Sequence, residues 1–504
     1  MRTVYEAVCA QPPGWIALRG SAGEVSYGAL RAAVEHAIEN LRETAPRVIG
    51  LALDNGPLWA MMDLAAMQAR IPLVPLPFFF SAGQIAHAIR DAGMDCIHTD
   101  QPRQFEQLLA SMGIGVRERS EFLIHGQPVT EFRLSGIAPV ELPPATAKIT
   151  YTSGTTGNPK GVCLDSDAML SVAHSLLDAT GMSPQDNHVA LMPLSTLLEN
   201  IAGLHVPLLA GACVTLLPFE ETGLRGASGV DVNKMAATLA AHEATTTILT
   251  PELLRGLVAT AQAGALVSSR LRFVAVGGAP VAQGLLAQAA QLGIPVYEGY
   301  GLSECASVVA VNTEDAHRRG SVGRPLSHAR LGFAEDGEIL AAGALMLGYT
   351  GNTPCAFHNG YWPTGDLGFL DADGFLHITG RKKNIFITSF GRNVAPEWVE
   401  RELALHPAIA QVAVFGEARP WNAAVIVPSS QMPEIFASID AAIEQANQRL
   451  PDYARIRRWI PADTPFLSAN GQLTPNGRLR RDVIFDVYRA QLEHLYEEDQ
   501  YAVL

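Results

Sequence analysis

Short apolar segments alternate with amphipathic helical segments along much of this chain, and that alternation limits the folds open to it. The order strand, helix, strand occurs twice, at residues 47–53, 57–69 and 71–75, and again at 271–276, 282–291 and 294–297. In a sequence, parallel strands that are buried on both faces of a sheet are seen as short apolar runs, and crossover helices connect one strand to the next. The pattern therefore predicts βαβ units and an α/β fold with parallel sheets.

The length of the chain predicts more than one domain. Its 504 residues exceed the size, about 250–300 residues, at which a single hydrophobic core stops growing. After about residue 380 the sequence pattern becomes that of a smaller unit in which strands and helices are mixed, with strands near 385–388, 410–415 and 425–428. We predict a large N-terminal domain over residues 1–382 and a small α+β C-terminal domain over residues 383–504.

Composition and charge exclude several classes of protein. With 48% hydrophobic and 17% charged residues the chain is globular rather than disordered. The formal net charge of -14 disfavours general binding to nucleic acid, because affinity for a phosphate backbone normally needs a basic face. Any anionic ligand must therefore be bound by a local cluster of cations.

Cysteine spacing and hydropathy suggest where the protein works. The 6 cysteines show neither a C-x-x-C pair nor metal-ligand spacing, so we expect a reducing cytoplasm without a disulfide framework or structural zinc. No apolar run follows Arg2, so no secretory signal is expected. The most membrane-like stretch, residues 200–218, is interrupted by glycines and prolines and predicts a buried helix and a strand rather than a transmembrane segment.

A glycine- and hydroxyl-rich segment is the first candidate site. Residues 150–160 read Thr-Tyr-Thr-Ser-Gly-Thr-Thr-Gly-Asn-Pro-Lys and follow a probable strand at 147–151. Glycines let backbone N–H groups approach a ligand, hydroxyls donate hydrogen bonds, and Lys160 adds a positive charge, as a phosphate chain requires. Pro159 breaks the Walker spacing. The segment predicts a phosphate loop of another kind, with a solvated turn as the alternative.

Three later segments carry further candidate ligands. In residues 297–304, Tyr-Glu-Gly-Tyr-Gly-Leu-Ser-Glu, Ser303 could bind a phosphate oxygen and Glu304 a Mg²⁺ ion, which prefers oxygen ligands. In residues 361–366, Asp366 follows a glycine turn and could accept from both hydroxyls of a ribose. Arg381 and Lys383 lie at the domain boundary, as a second ribose contact and a pivot. Taken singly, the first two of these segments are better explained by ordinary turns, and a basic linker is the alternative for the third.

The order and separations of the four segments resemble those of the adenylate-forming superfamily, which includes acyl- and aryl-CoA synthetases, adenylation domains of nonribosomal peptide synthetases and luciferases. The resemblance covers residues 148–481 and is looser before them. It implies an N-terminal portion of α/β subdomains, a mobile C-terminal domain and an active site between them. In this family a carboxylate attacks the α-phosphate of ATP, and a thiol then displaces AMP.

The resemblance also implies a role for each matching residue. The triphosphate and Mg²⁺ would be held by Thr152, Ser153, Gly154, Thr155, Thr156, Gly157, Lys160, Ser303 and Glu304. Adenine would lie against Gly278, Ala279, Pro280, Glu298, Gly299 and Tyr300. Asp366 and Arg381 would clamp the ribose, and Lys383 would be the hinge. The segment 389–397, ending Asn-Val-Ala-Pro-Glu, looks most like that of long-chain acyl-CoA synthetases.

Two positions bear on catalysis and on the choice of acid. Arg478 stands where the family normally has a lysine that reaches the α-phosphate and the acyl carboxylate, and arginine is bulkier and planar. Leu194 stands where amino-acid-activating members carry an aspartate, which argues against an α-amino acid. Four apolar residues either line an acyl pocket or belong to the core: Leu197, Leu198, Val276 and Ala306.

The sequence thus predicts an ATP- and Mg²⁺-dependent acid–thiol ligase that activates a fatty or other apolar carboxylic acid and transfers it to coenzyme A. One alternative is a free-standing enzyme that loads the phosphopantetheine of an acyl carrier protein. A second, from another class, is a catalytically weak protein that binds nucleotide and acyl groups, and Arg478 is the one feature that favours it.

Overall fold

A computed structural model describes residues 1–152, 159–225, 229–279, 281, 283–352, 355, 357–430, 432–474 and 477–501. Two large mixed sheets dominate the N-terminal part. The first has nine strands, in the spatial order Arg324–Pro325, Ser307–Val311, Val296–Leu302, Phe273–Val276, Thr246–Leu249, Asn187–Val189, Cys213–Thr215, Ile16–Gly20 and Gly23–Ser26. Its inner strands, from Val296–Leu302 to Ile16–Gly20, pair in parallel.

The second sheet has eight strands, in the order Gly348–Tyr349, Lys160–Leu164, Lys148–Thr152, Leu73–Pro75, Ile49–Ala52, Cys96–Thr99, Gln127–Ser135 and Gly115–Ile124. Its central pairings are parallel and its outer ones antiparallel. The predicted α/β class with parallel sheets is confirmed.

Helices cover and separate these sheets. Those of the N-terminal part are Val4–Ala10, Tyr27–Thr44, Pro57–Ala69, Ala82–Asp91, Pro102–Ser111, Ser166–Thr180, Val206–Ala210, Phe219–Thr222, Val232–Ala241, Pro251–Gln262 and Gln283–Gln291. Pro57–Ala69 is apolar around most of its circumference and shares one core with Leu18 of the first sheet and Ile49 of the second. A helix that is apolar on every side is stable only when it is buried, and this one lies within that shared core.

Two predicted strands begin later than the sequence suggested, for a shared reason. The predicted strand at 71–75 begins at Leu73, because the Ile71 amide donates to the Ala66 carbonyl and so completes the preceding helix. The predicted strand at 294–297 begins at Val296, because the Ile294 amide donates to Ala289 in the same way, and it continues to Leu302.

The stretch at 200–218 is buried, as predicted. A π-helical segment, Glu199–His205, continues into Val206–Ala210, and the strand Cys213–Thr215 follows. Within the described ranges, no helix has both the length and the apolar character required to cross a bilayer.

An antiparallel four-stranded sheet precedes the C-terminal part, in the order Arg330–Phe333, Glu338–Ala342, Trp362–Leu370 and Leu376–Arg381. A one-turn 3₁₀ helix, Lys382–Asn384, then leads to elements with cores of their own. These are the strands Phe386–Ile387, Asn393–Val394, Ile409–Phe415, Asn422–Pro428 and Ile456–Pro461 and the helices Pro396–Leu403, Glu434–Arg449 and Arg481–Tyr501. A division after residue 382 agrees with this arrangement and stays a prediction.

Candidate functional site

The predicted phosphate loop lies between two antiparallel strands. Thr152 ends one strand, Lys160 begins the next, and the two residues are partners across the ladder. Ser153, Gly154, Thr155, Thr156 and Gly157 lie outside the described residues. The Lys160 ammonium lies 5.2 Å from the centre of the Tyr349 ring, at the neighbouring edge strand. The loop is therefore flanked by one cation held against an aromatic face.

Tyr349 links this cation to the predicted magnesium ligand. The Tyr349 hydroxyl donates to Glu304 Oε1 at 3.0 Å, which fixes the orientation of the carboxylate. Burial, followed by the charge of Glu304, raises the pKa of Tyr349, so its hydroxyl stays a donor. Sequence reasoning did not identify Tyr349, because nothing near position 349 marks it as a ligand.

The segments predicted to bind adenine end neighbouring parallel strands. Glu298, Gly299 and Tyr300 lie on Val296–Leu302, and Gly278 and Ala279 follow the adjacent strand Phe273–Val276. A Cβ atom on Gly277 would lie 3.2 Å from the Gly299 carbonyl oxygen, so the two chains approach closely. Pro280 is outside the described residues. Ligands of open parallel sheets bind at this end of the strands.

Asp366 is the centre of a hydrogen-bonded group that joins three of the predicted segments. It pairs with Arg381 across the antiparallel ladder, with 2.6 Å between Asp366 Oδ1 and Arg381 Nε. The Tyr300 hydroxyl donates to Asp366 Oδ2 at 2.8 Å. The structure therefore assembles Asp366, Arg381 and Tyr300, which are distant in sequence, into one group.

Arg478 of the C-terminal part reaches this group. Its Nε donates to the Gly278 carbonyl at 3.0 Å, and Arg381, Asp366, Glu304 and Tyr300 all lie within electrostatic range. Arg478, the predicted site residue nearest the C-terminal end of the sequence, therefore lies in one cleft with Asp366, Arg381 and Tyr300.

Two further contacts hold the two parts together. Arg255 donates to the Ala410 carbonyl at 3.0 Å. Gly284 lies so close to Leu405 that a Cβ atom would be 2.6 Å from its carbonyl oxygen. The C-terminal part is thus docked on the helices Pro251–Gln262 and Gln283–Gln291.

The electrostatics of the cleft favour an anion. Partial burial and the guanidinium groups of Arg381 and Arg478 lower the pKa of Lys383, because each neighbouring positive charge disfavours the protonated amine. Three cations, two from the segment at the domain boundary and one from the C-terminal part, therefore converge beside Asp366. In a chain with a net charge of -14 this is the local cluster that an anionic ligand requires.

Glu298 is buried in this cleft and ionises with difficulty. Burial raises the pKa of Glu298 to about 8, although Arg401 and a hydrogen bond to Gln283 act in the opposite direction. Its Oε2 atom has no hydrogen-bond partner among the described residues. A carboxyl group that is neutral at pH 7 can donate one hydrogen bond and accept another, which a carboxylate cannot do.

We expect Glu298→Gln to change how stability depends on pH. In the folded protein Glu298 keeps its proton up to about pH 8, whereas its ordinary pKa is 4.5. The folded state therefore binds the extra proton within this window, and wild-type stability falls as the pH rises through it. Glutamine has no such ionisation, so the variant should gain on the order of 4 kcal/mol relative to wild type between pH 4.5 and 8.5.

Thermal unfolding of both proteins at pH 5.0 and pH 8.5 measures this effect. The pKa of Glu400 is also raised, to about 7, but that carboxyl is present in both proteins and cancels in the comparison. A difference in Tm between variant and wild type that is the same at both pH values would show that Glu298 ionises normally.

All four apolar residues proposed as pocket or core lie in or against hydrophobic cores, and one of them also lines a cavity. Leu197 lines a small cavity together with Pro75, Lys148, Thr150, Leu194, Ser195, Thr196 and Asn200. Val276 and Ala306 are buried in hydrophobic cores, and Leu198 packs against one. The sequence did not mark Lys148, Thr150 or Asn200 as lining residues. The sequence signal available for this cavity was Lys148, a charged residue within the apolar strand pattern at 147–151.

Comparisons with known proteins agree with this geometry. Residues 5–364 match the model of the AMP-binding enzyme family, and residues 383–500 match the AMP-binding enzyme C-terminal domain. The long-chain-fatty-acid–CoA ligase FadD15 of Mycobacterium tuberculosis is 27% identical over 534 residues, covering 88% of this chain and 86% of the relative. A 2-succinylbenzoate–CoA ligase of Bacillus mycoides is 33% identical over 361 residues, covering 66% and 69%. The crystal structure of the anthranilate CoA ligase AuaEII with anthranoyl-AMP superposes with a TM-score of 0.80 at 19% identity, covering 97% of each chain.

Proposed function

The chain belongs to the AMP-binding enzyme family, and on this premise we propose that it joins a largely apolar carboxylic acid to coenzyme A at the expense of ATP. The match and the CoA ligase relatives together indicate an AMP-forming ligase similar to acyl-CoA synthetases. One observation carries the proposal for this chain: Arg478 of the C-terminal part meets Asp366, Arg381, Tyr300 and Glu304 in one cleft.

The cleft supplies the contacts that ATP requires. Asp366 would accept from the ribose hydroxyls, while Tyr300 and Arg381 hold its carboxylate in place. Gly278, Ala279 and Gly299 lie at the strand ends where the adenine would lie, and Glu298 offers a carboxyl group that can both donate and accept. Thr152 and Lys160 flank the loop proposed for the phosphates.

Glu304 fits a Mg²⁺ ion by the chemistry of its donors. It offers carboxylate oxygen atoms, which hard cations prefer, and the Tyr349 hydroxyl fixes one of them from the side. When bound there, Mg²⁺ would neutralise charge on the phosphates. Glu304 would hold the ion, and Ser303 would donate to a phosphate oxygen.

The reaction then follows from the charges in the cleft. An oxygen of the acid carboxylate bonds to the α-phosphorus of ATP, and the bond from that phosphorus to the bridging oxygen breaks to release pyrophosphate. Arg478 would hold the carboxylate and the α-phosphate together and neutralise the charge that develops between them. In the second half-reaction the thiolate sulfur of coenzyme A bonds to the acyl carbon and AMP leaves.

The acid is proposed from the residues beside the cleft. Leu194 is fully buried and lines the small cavity with Leu197, and the described residues that line it include no carboxylate. A substrate ammonium group would find no counter-ion there, so an α-amino acid fits poorly.

We propose a reducing cytoplasm as the place of action. The free thiols Cys96, Cys163, Cys213 and Cys305 are buried, which agrees with an environment where disulfides do not form.

The proposal is tested by acid-dependent exchange of radiolabelled pyrophosphate into ATP, using short, medium, long and aromatic acids. Exchange with any acid would support adenylate formation. Absence of exchange with all of them, in the presence of Mg²⁺, would refute it and favour a nucleotide-binding protein. Discharge of the adenylate by coenzyme A or, alternatively, by a phosphopantetheine-bearing carrier protein would identify the acceptor.

A further inference from the structure

Two polar side chains on one face of the helix Ala82–Asp91 contact the chain on both sides of the phosphate loop, and the assembly described above does not use them. His87 and Asp91 are four residues apart, so they project from the same face of the helix, one turn from each other. The apolar face of the helix shares a core with Ile149 and Cys163, which lie on the two strands that flank the loop. The helix is therefore packed against both of these strands.

His87 contacts the end of the loop that leads to Lys160. Its Nε2 lies 2.9 Å from the carbonyl oxygen of Pro159, the residue before Lys160. A carbonyl oxygen only accepts, so Nε2 carries the proton and donates. The His87 ring also meets the Tyr151 ring edge to face, with 6.2 Å between the ring centres. His87 thus contacts the chain before the loop and after it.

Asp91 joins the strand that enters the loop to a third segment. Its Oδ2 accepts from the Tyr151 hydroxyl at 2.8 Å and also from the Thr350 hydroxyl. Burial, followed by the charge of Asp91, raises the pKa of Tyr151, so this hydroxyl stays a donor. Hydrogen bonds to a carboxylate are roughly twice as strong as those between neutral groups. One oxygen atom of Asp91 therefore ties together two distant parts of the chain.

Thr350 connects Asp91 to the predicted phosphate and magnesium ligands. It is buried and follows Tyr349, whose hydroxyl donates to Glu304 and whose ring lies against Lys160. Thr350 also packs closely on Gly161, where a Cβ atom would lie 2.7 Å from the Thr350 methyl carbon. A displacement of Thr350 would therefore move Tyr349 on one side and the backbone beside Lys160 on the other.

We propose that Asp91 and His87 are positioning residues that hold Lys160 and Glu304 in place for the phosphates and the Mg²⁺ ion of the nucleotide. The inference rests on the proposed function and extends its site to a helix that no sequence motif marked. Neither side chain has to touch ATP, because Asp91 acts through the segment that carries Tyr349 and His87 acts through the carbonyl before Lys160. A cation and a carboxylate that are already held in place lose little freedom when the nucleotide binds.

Binding of MgATP, measured by isothermal titration calorimetry, tests the inference together with acid-dependent pyrophosphate exchange. Asp91→Ala removes the acceptor of both hydroxyls. We expect it to raise the Kd for MgATP and the KM for ATP by about 10-fold, within the range for loss of a hydrogen bond to a charged group. The KM for the acid should stay within about twofold of wild type. Asp91→Asn keeps an oxygen that can accept at the same place, so it should restore most of the affinity.

Two further variants separate positioning from a loss of stability. Arg90→Ala changes the neighbouring residue of the same helix, which donates to the Met112 carbonyl at 3.2 Å, and it should leave MgATP binding unchanged. His87→Gln keeps a side-chain donor and should bind MgATP more tightly than His87→Ala. A purely structural role for Asp91 would lower the amount of folded enzyme, and so the apparent kcat, while the affinity for MgATP stayed the same. That result would overturn the inference.

A double-mutant cycle tests the connection through Thr350. Thr350→Val removes the hydroxyl that Asp91 accepts from, and we expect it to weaken MgATP binding by a smaller factor than Asp91→Ala does. Because Asp91→Ala already breaks this hydrogen bond, the double variant should bind MgATP about as tightly as Asp91→Ala alone. Effects that multiply in full would show that Asp91 does not act through Thr350 and would overturn the inference.

Failure of the inference and failure of the proposed function give different results. Unchanged MgATP binding by Asp91→Ala, with exchange by the wild type, overturns the inference and supports the proposed function. A wild-type protein that binds MgATP but shows no exchange with any acid refutes the proposed function, and the comparison of MgATP affinities then decides the inference. A wild-type protein that does not bind MgATP refutes both.

Discussion

Replacement of Arg478 by alanine is expected to slow adenylate formation by about 100- to 1,000-fold, the usual effect of removing a positioned donor from developing charge. Arg478 is the cation of the C-terminal part that contacts the Gly278 carbonyl and faces Asp366 and Glu304. Without it, charge that develops between the acid carboxylate and the α-phosphate would have fewer compensating groups. Acid-dependent pyrophosphate exchange at saturating ATP measures the change.

Two other variants make this prediction specific. Arg480→Ala removes an exposed arginine two residues away, and exchange should stay within about twofold of wild type, as for most surface substitutions. Arg478→Lys restores the residue that the resemblance expects, and it should retain most of the activity if a single positive charge is sufficient. Equal loss in the Arg478→Ala and Arg480→Ala proteins would contradict a specific role for Arg478, and restoration of absent wild-type exchange by Arg478→Lys would favour the nucleotide-binding alternative.

Replacement of Lys383 by proline is expected to spare adenylate formation and to reduce thioester formation by at least about 100-fold. Lys383 is the second residue of the one-turn helix Lys382–Asn384, where a proline is tolerated because the first amides of a helix have no partner within it. The docked arrangement that brings Arg478 to Gly278 would survive. Proline fixes φ, however, and so would block the rotation proposed to open the cleft for a thiol.

Single-turnover assays separate the two half-reactions. Adenylate formation is followed by pyrophosphate release, and thioester formation is followed by adding coenzyme A to preformed adenylate. Lys383→Ala removes the same charge but leaves φ free, so it should support both steps. Parallel loss of both half-reactions in the proline variant would refute the hinge, and loss of the second step in the alanine variant would assign the effect to the side chain.

Local patterns made much of the proposed nucleotide cleft predictable. The apolar runs and helical periodicities placed the segments at 297–304 and 271–276 on neighbouring parallel strands, and the ends of such strands meet at one edge of a sheet. The prediction that Asp366 and Arg381 act together followed from the order of the motifs. The structure pairs them directly, with 2.6 Å between Arg381 Nε and Asp366 Oδ1. Strand starts at 71 and 294 were wrong because helix caps extend over two residues whose composition resembles that of a strand.

The contacts that join the segments were not predictable in this way. Tyr349 lies 45 residues from Glu304 in the sequence, and nothing around it distinguishes it from an ordinary strand tyrosine. Asp63 lies within a helix that is apolar on most sides, and its partner Lys148 lies in the strand Lys148–Thr152, outside the two predicted βαβ units. The approach of Arg478 to Gly278 spans 200 residues and depends on how the C-terminal part docks.

The sequence by itself determined the α/β class, the order of the segments proposed to bind nucleotide and the residue types offered at each strand end. Those features are encoded in side-chain periodicity and turn chemistry, which act over a few neighbouring residues. Only the tertiary structure decided that Tyr349 orients Glu304, that Arg478 donates to the Gly278 carbonyl and that Lys148 pairs with Asp63. Such pairings depend on which elements, far apart in the chain, pack together. A buried charge has lost its contacts with water, so leaving it unpaired is costly, and the folded structure places a partner beside it.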